Sequence, residues 1–352
     1  MEPQVSHSHI IIAQFRVKER NNMQLESYPI RTDLALESQE RLQKDNGQVK
    51  GVRLEEEKKD NGVVISTVFI DTENAAKAMG RPRGTYVTIE APEMIEEDAG
   101  YHRDISVELA QILRQMVAQY ESKVSDDLKE GMDVSVLIAG LGNREVTPDA
   151  LGPKVVDNLF ITRHIMNEFG KYAFSDEKTS KISGIVPGVM AQTGMECVEI
   201  LRGIVKETEP DFIITVDALA ARNVKRLNRT IQLTDTGITP GSGIGNHRNA
   251  LNKESLGIPV ISLGVPTVVN AATIVADAMN DLIEAEASSN ADLKKLDEHE
   301  RQELARELLS PQLNGLFVTP KNIDDSIKSL SYLISEGLNI ALLGNKDENA
   351  LI

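Results

Sequence analysis

Asp149 and Asp217 are the two side chains best placed for chemistry. Asp149 closes the run Gly140-Leu141-Gly142-Asn143-Arg144-Glu145-Val146-Thr147-Pro148-Asp149, which leaves an apolar strand and enters a helix at Ala150-Leu151-Gly152. Asp217 follows Phe212-Ile213-Ile214-Thr215-Val216, a buried strand that ends in one carboxylate before the small residues Ala218-Leu219-Ala220-Ala221-Arg222. Open α/β sheets bind their ligands outside the carboxyl ends of the strands, so acids at such ends are well placed. Each acid also has a plainer reading. Thr147-Pro148-Asp149 fits the first turn of a helix, where a carboxylate favours the dipole, and Asp217 fits the cap of a helix starting at Ala218. Taken alone, the cap is the better account of Asp149. Two acids on neighbouring strand ends of one sheet carry more weight. Two carboxylates held close cannot both ionise comfortably, so they share a proton. The ionised one then takes a proton from water and the neutral one donates to a carbonyl oxygen. That is peptide hydrolysis by general acid–base chemistry, with neither a metal nor a covalent intermediate.

The other motifs are weaker. The Gly140–Gly152 loop fails the G-x-G-x-x-G test, because Glu145 stands at the third glycine, and it lacks the Gly-Lys-Ser/Thr of a phosphate-binding loop. Its glycines, Gly142 beside Asn143 among them, instead let the backbone turn sharply at the sheet edge. A second Gly-rich run, Gly237-Ile238-Thr239-Pro240-Gly241-Ser242-Gly243-Ile244-Gly245-Asn246-His247-Arg248, has no clear helix behind it. Gly241 and Gly243 fit a loop near the site that binds substrate backbone as well as they fit a plain connection. Ser242 lacks the G-x-S-x-G setting of a serine nucleophile. The single Cys197 shares a helical pattern with Val198 and Leu201 and reads as a packing thiol. His7 and His9 lie in a polar tail, and there is no H-E-x-x-H.

These residues need a scaffold, and the pattern supplies one. Val63–Ile70, Tyr86–Glu90, Val134–Ala139, Ile182–Val186, Phe212–Val216, Arg229–Leu233 and Ile258–Leu263 read as strands. Asp104–Ser125, Leu151–Phe169, Glu196–Lys206, Val268–Ile283, 298–309 and 322–342 read as helices. Short apolar strands alternating with helices predict an α/β fold, a mostly parallel sheet flanked by helices on both faces. Residues 1–25 read as a poorly ordered tail and 284–300 as a flexible, solvated connection. With 352 residues, 41% hydrophobic, the chain can build one large domain. Its formal net charge of −16 disfavours nucleic acid and anionic membranes but suits a basic protein substrate. One cysteine excludes an intrachain disulfide and fits the cytoplasm. No stretch reaches the ~20 apolar residues of a membrane span, and the short run Ile10–Ala13 has no signal-peptide pattern.

Longer strings are familiar. Gly140–Asn143, Val146–Lys154, Val156–Asn158, Ile161–His164, Ile185–Met190, Pro210–Ile214, Asp217–Arg222, Pro240–Gly243 and Leu256–Val260 resemble the germination protease of spore-forming bacteria. Thr319-Pro320-Lys321 and Gly337-Leu338-Asn339 extend the match, which runs from about residue 27 to 343. The resemblance implies an atypical aspartic endopeptidase of the spore core that needs no cofactor. Its substrates would be the small, acid-soluble, DNA-binding spore proteins, degraded on germination. The family's two catalytic aspartates fall by motif on Asp149 and Asp217. The family is made as a zymogen that processes itself near its N-terminus and assembles as a homotetramer. It cleaves after an acid in a Thr-acid-hydrophobic-Ala context, which Thr32-Asp33-Leu34-Ala35 fits. Cleavage is therefore expected between Asp33 and Leu34, with residues 1–33 as propeptide and 34–352 as a single peptidase domain.

Two other readings compete. Hydrogenase maturation endopeptidases look similar at the Gly-x-Gly-Asn loop and at both acids, and they hold nickel with two carboxylates and a downstream histidine. His247, 30 residues after Asp217, would complete that set with Asp149 and Asp217. The chain is much longer than that family, and the long strings are not that family's own. A non-enzymatic nucleotide-binding module is opposed by the missing glycine and lysine.

Overall fold

The computed structural model describes residues 32–46, 49–96, 98–120, 132–174, 178–242, 248–275, 278 and 315–344. All belong to one compact unit beginning at Arg31. The expected tail and most of the expected propeptide, the 284–300 connection, the 298–309 helix, Gly243 and His247 lie outside the described residues.

In chain order the elements are α1 (Ala35–Asn46), β1 (Val52–Lys58), β2 (Val64–Ile70), α2 (Glu73–Met79), β3 (Gly84–Glu90), α3 (Ala99–Ala118) and β4 (Ser135–Gly140). After β4 come a 3-10 turn, Thr147–Asp149, then α4 (Leu151–Asp157), α5 (Arg163–Phe169), β5 (Lys181–Ile185), α6 (Met190–Thr193), α7 (Cys197–Thr208) and β6 (Phe212–Ala221). The chain continues with β7 (Thr230–Thr234), α8 (Lys253–Leu256), β8 (Val260–Asn270), β9 (Phe317–Val318) and α9 (Ile323–Leu343).

The strands form one sheet in the order β1-β2-β3-β7-β8-β6-β4-β5, with β9 added to β8. The α/β class is as the sequence predicts, but the sheet is mixed. Only β5, β4, β6 and β8 run parallel. The wing of β1, β2, β3 and β7 is antiparallel throughout and joins β8 antiparallel. Sequence explains the division. β4, β6 and β8 are continuous apolar runs buried on both faces, as crossover-connected parallel strands must be. β1 is Val-Arg-Leu-Glu-Glu-Glu-Lys, mostly exposed, and its charges blunt the open edge.

Alternate side chains of the parallel strands feed two cores. Val136, Ile138, Ile214 and Val216 pack with Ile105 and Leu109 of α3, Leu151 and Val155 of α4, and Ile334 and Leu338 of α9. Leu137, Ala139 and Ile213 face Cys197, Val198 and Leu201 of α7 and Leu256 of α8. Helices thus cover both faces. Among the described residues no helix is long and apolar enough to cross a membrane.

Three elements depart from expectation. The single helix predicted over Leu151–Phe169 is two. The break falls between Asn158 and Thr162, and the Thr162 hydroxyl ties its far end to the start of β5, donating to Ser180 O (2.6 Å) and accepting from Ile182 N (2.8 Å). β6 does not stop at Asp217 but runs to Ala221, because Asp217–Ala221 keep pairing with β8 despite their helix-favouring alanines. β8 likewise continues to Asn270, through residues predicted as the start of a helix.

Candidate functional site

Asp149 is placed by glycine and by pinning. Gly142 turns the chain after β4 at φ +112°, and a Cβ there would lie 1.9 Å from the Asp149 carbonyl oxygen. Only glycine lets the two strands of this loop approach so closely. The turn Thr147–Asp149 is then fixed from two sides. Thr267 of β8 donates its hydroxyl to Pro148 O at 2.7 Å, and Thr147 donates to Asp324 of α9 at 2.9 Å. The Asp149 side chain does not cap the helix behind it; its Oδ2 accepts from the Asn143 amide at 2.8 Å. Asn143 in turn accepts from the Glu145 amide and from Gln192.

Asp217 is placed by the strand itself. No helix begins at Ala218, so the cap reading fails here too. Its Oδ1 accepts from the Ala218 amide at 2.9 Å, and the residue is only 4% exposed. Gly140 pairs with Val216, and the Leu141 amide donates to Val216 O at 2.8 Å. The loop carrying Asp149 therefore starts level with Asp217. A register shift between Leu219 and Ala220 kinks β6 just beyond it, a common way to re-aim side chains beside a site.

Burial and neighbouring charge set the protonation. Burial pushes the Asp217 carboxyl well above the usual carboxylate range, and the charges of Asp149 and Asp33 push it further. The Ala218 amide and Arg248 pull back. Burial also raises Asp149, against the Asn143 amide and Arg248. Of the two, the more enclosed Asp217 is the one whose surroundings oppose the charged form more strongly.

Two further groups converge here. Arg248 is close enough to act on both acids and on Cys197. Its only signal in the sequence is a lone cation closing a Gly-rich run. Asp33, expected as a cleavage point, sits against β6: its amide donates to Ala220 O and its carboxylate accepts from Ala220 N, both at 2.9 Å. Gly241, at φ +72°, turns the Gly-rich loop so that Ser242 Oγ donates to Asp33 Oδ1 at 2.8 Å. Leu34 is fully buried. Cys197 is a free, buried thiol whose pKa burial raises, packed with Val198 and Leu201 as expected. Among the described residues no cluster of three metal-capable side chains forms; the histidine of the nickel reading, His247, lies outside them.

Comparison with known proteins adds the following. A family model for germination protease matches residues 30–295 and 286–351. The chain is 43% identical over 327 residues to a germination protease of Clostridium perfringens, covering 90% of this chain and 96% of that one. It is 44% identical over 333 residues to one of Caldanaerobacter subterraneus, covering 92% and 98%. It is 39% identical over 362 residues to one of Bacillus velezensis, covering 92% and 95%. Among solved structures, a NiFe hydrogenase maturation protease from Thermococcus kodakarensis aligns at 17% identity with a TM-score of 0.28, over 58% of this chain and 93% of the other.

Proposed function

This chain belongs to the germination protease family and is a protease, and on that premise we propose that it is an aspartic-type endopeptidase working through Asp149 and Asp217. The observation that carries this reading is the placement of buried Asp217 on β6, level with the start of the loop that bears Asp149. A water between the two carboxyls gives its proton to ionised Asp149 as its oxygen adds to the substrate carbonyl carbon. Asp217 protonates the carbonyl oxygen. On collapse Asp149 passes its proton to the departing nitrogen, the C–N bond breaks, and Asp217 recovers its proton from a hydroxyl of the intermediate. Arg248 tempers the combined negative charge.

The substrates in this reading are the small acid-soluble DNA-binding proteins of the spore core. Their basic character complements a chain of net charge −16. Cleavage falls after an acid, and the chain processes itself between Asp33 and Leu34 before working as a homotetramer. The test is mass spectrometry of such a basic protein after incubation with wild type, Asp149→Asn and Asp217→Asn. Each variant should lose activity by about 100- to 10,000-fold, the usual worth of a general acid or base, and keep its fold. Near-normal turnover in either ends the two-aspartate mechanism. Unchanged wild-type activity in excess chelator is expected; loss of activity there, restored by nickel, would favour the Asp149, Asp217 and His247 set instead.

A further inference from the structure

The contacts around Thr32–Ala35 bear on a single peptide bond. Ala220 N and Ser242 Oγ donate one bond to each oxygen of the Asp33 carboxylate. Gln232, buried on β7, brackets the next bond along: its Nε2 donates to the Asp33 carbonyl at 2.9 Å, and its Oε1 accepts from the Ala35 amide at 2.6 Å. Leu34 packs with Leu219, Ala221, Leu227 and Val269. Arg81 holds Thr32 by its carbonyl at 2.9 Å.

The sheet register places the residue that brackets this bond at the level of Asp217. Asp217 of β6 and Gln232 of β7 each pair with Gly264 of β8, from opposite sides. Paired residues of adjacent strands share a face, so both side chains rise from the same side of the sheet. Gly264 makes room for Leu219, against which Leu34 lies; a Cβ there would come within 2.6 Å of Leu219 Cγ. Anchoring α1 would need only the burial of Leu34. It would not need both oxygens of Asp33 satisfied, nor a buried amide donor aimed at its carbonyl.

Thr32–Ala35 carries the self-cleavage point of the reading above, and we infer that its fixed contacts are the parts of the site that recognise the cut. The Ala220 amide and the Ser242 hydroxyl form the subsite that reads an acid before the cleaved bond, and Gln232 clamps that bond. The inference rests on the endopeptidase reading above and deepens it. In the step it implies, water gives a proton to Asp149 as its oxygen adds to the Asp33 carbonyl carbon, Asp217 protonates the carbonyl oxygen that the Gln232 N–H holds in place, and Asp149 passes its proton on to the Leu34 nitrogen. The C–N bond to Leu34 then breaks. Asp33 leaves with a new carboxylate, and Leu34 keeps the nitrogen as an amine. For a second polypeptide to bind, Leu34 and Ala35 must then vacate the groove they fill.

Self-cleavage of the full chain, followed by intact-mass spectrometry, tests this. Asp33→Asn and Ser242→Ala should each slow the cut roughly tenfold, the scale of a hydrogen bond to a charged group. The double variant should be no slower than the slower single, because both changes remove one interaction. Ser242→Thr keeps the hydroxyl and should restore the rate. Gln232→Ala should slow the cut by the same factor with Asp33 intact and with Asp33→Asn. Since Ser242 is exposed, its variants should melt with wild type, and Ser242→Gly provides a second hydroxyl-free form. Multiplying losses in the double variant, or a wild-type cut at another bond, would overturn the subsite. The endopeptidase reading fails on a different result: Asp217→Asn chains that still cut themselves, and a basic protein in trans, at the wild-type rate.

Discussion

The two acids reach one site by opposite means. Asp149 stands on a 3-10 turn, half-buried, held by a glycine-dependent loop and by hydroxyls from β8 and α9. Asp217 stands inside β6, almost fully buried, with its position fixed by pairing on both sides of the strand. The loop can offer its carboxylate to solvent and stabilise it with the Asn143 amide. The strand cannot, and burial there pushes its carboxyl well above the usual carboxylate range. The proposed mechanism needs this asymmetry between a general base and a general acid, and under it the difference in scaffold is a division of labour.

The sharpest way to break the comparison is to remove each charge and follow activity and stability together. Asp217→Asn should abolish turnover yet raise the melting temperature at neutral pH. The sign follows from linkage. A carboxyl whose folded pKa is raised gives stability that is fully present below its unfolded pKa. That stability is lost as pH rises through the folded value. Wild type should therefore fall behind Asp217→Asn progressively from about pH 4 upward, where an unfolded aspartate begins to ionise. Asp149→Asn should lose activity as severely, but its stability gain should be smaller, because Asp149 is raised less and keeps a backbone donor. Thermal melts of the three proteins across pH check this. Equal gains from the two variants would erase the proposed asymmetry.

The loop's dependence on glycine gives the next effect. Gly142→Ala puts a methyl on the Asp149 carbonyl oxygen at a φ that side chains rarely adopt. A strained residue of this kind costs of order 1–3 kcal/mol, and the clash adds to it, so the loop should shift and take Asp149 with it. The expected outcome is a fall in activity larger than the loss of stability alone explains, with Asp217 still buried. Denaturant melts beside turnover on a basic protein check it; a stable variant of full activity would show that the close approach is incidental.

What the sequence made legible follows the same division. β4 and β6 could be read because a strand buried on both faces is a run of apolar residues, and both acids could be read because they follow such runs. The length of β6 could not be read. Ala218–Ala221 carry helix-favouring side chains, and only β8, nearly fifty residues downstream in sequence, holds them extended. The antiparallel wing was half legible. β2 and β3 are rich in β-branched residues, but β1, with its glutamates, has no apolar run to announce it. Asp33 could be found only through the family resemblance, and its contacts with Ala220, Gln232 and Ser242 span 187 to 209 residues of chain. Arg248 gave no local signal, since one cation beside a Gly-rich run is ordinary until the fold turns it toward two acids.

The smallest expected effect comes from the residue that most invites over-reading. Cys197 lies close enough to feel both Arg248 and Asp217, and it is the only thiol in the chain. Proximity alone would make it a nucleophile. Its surroundings argue otherwise: burial raises its pKa, its Sγ faces Gly188 O at 3.6 Å, and Val198 and Leu201 pack beside it. The thiolate, not the thiol, is the reactive form, and this site opposes it. Cys197→Ala should therefore keep turnover within about twofold and cost only the 1–2 kcal/mol typical of a small cavity. Thiol-directed alkylation of the folded wild type should be slow and should leave activity intact until the protein unfolds. Rapid alkylation with matching loss of turnover would move the chemistry from the carboxyl pair to the sulfur, and the contrast between loop acid and strand acid would lose its catalytic meaning.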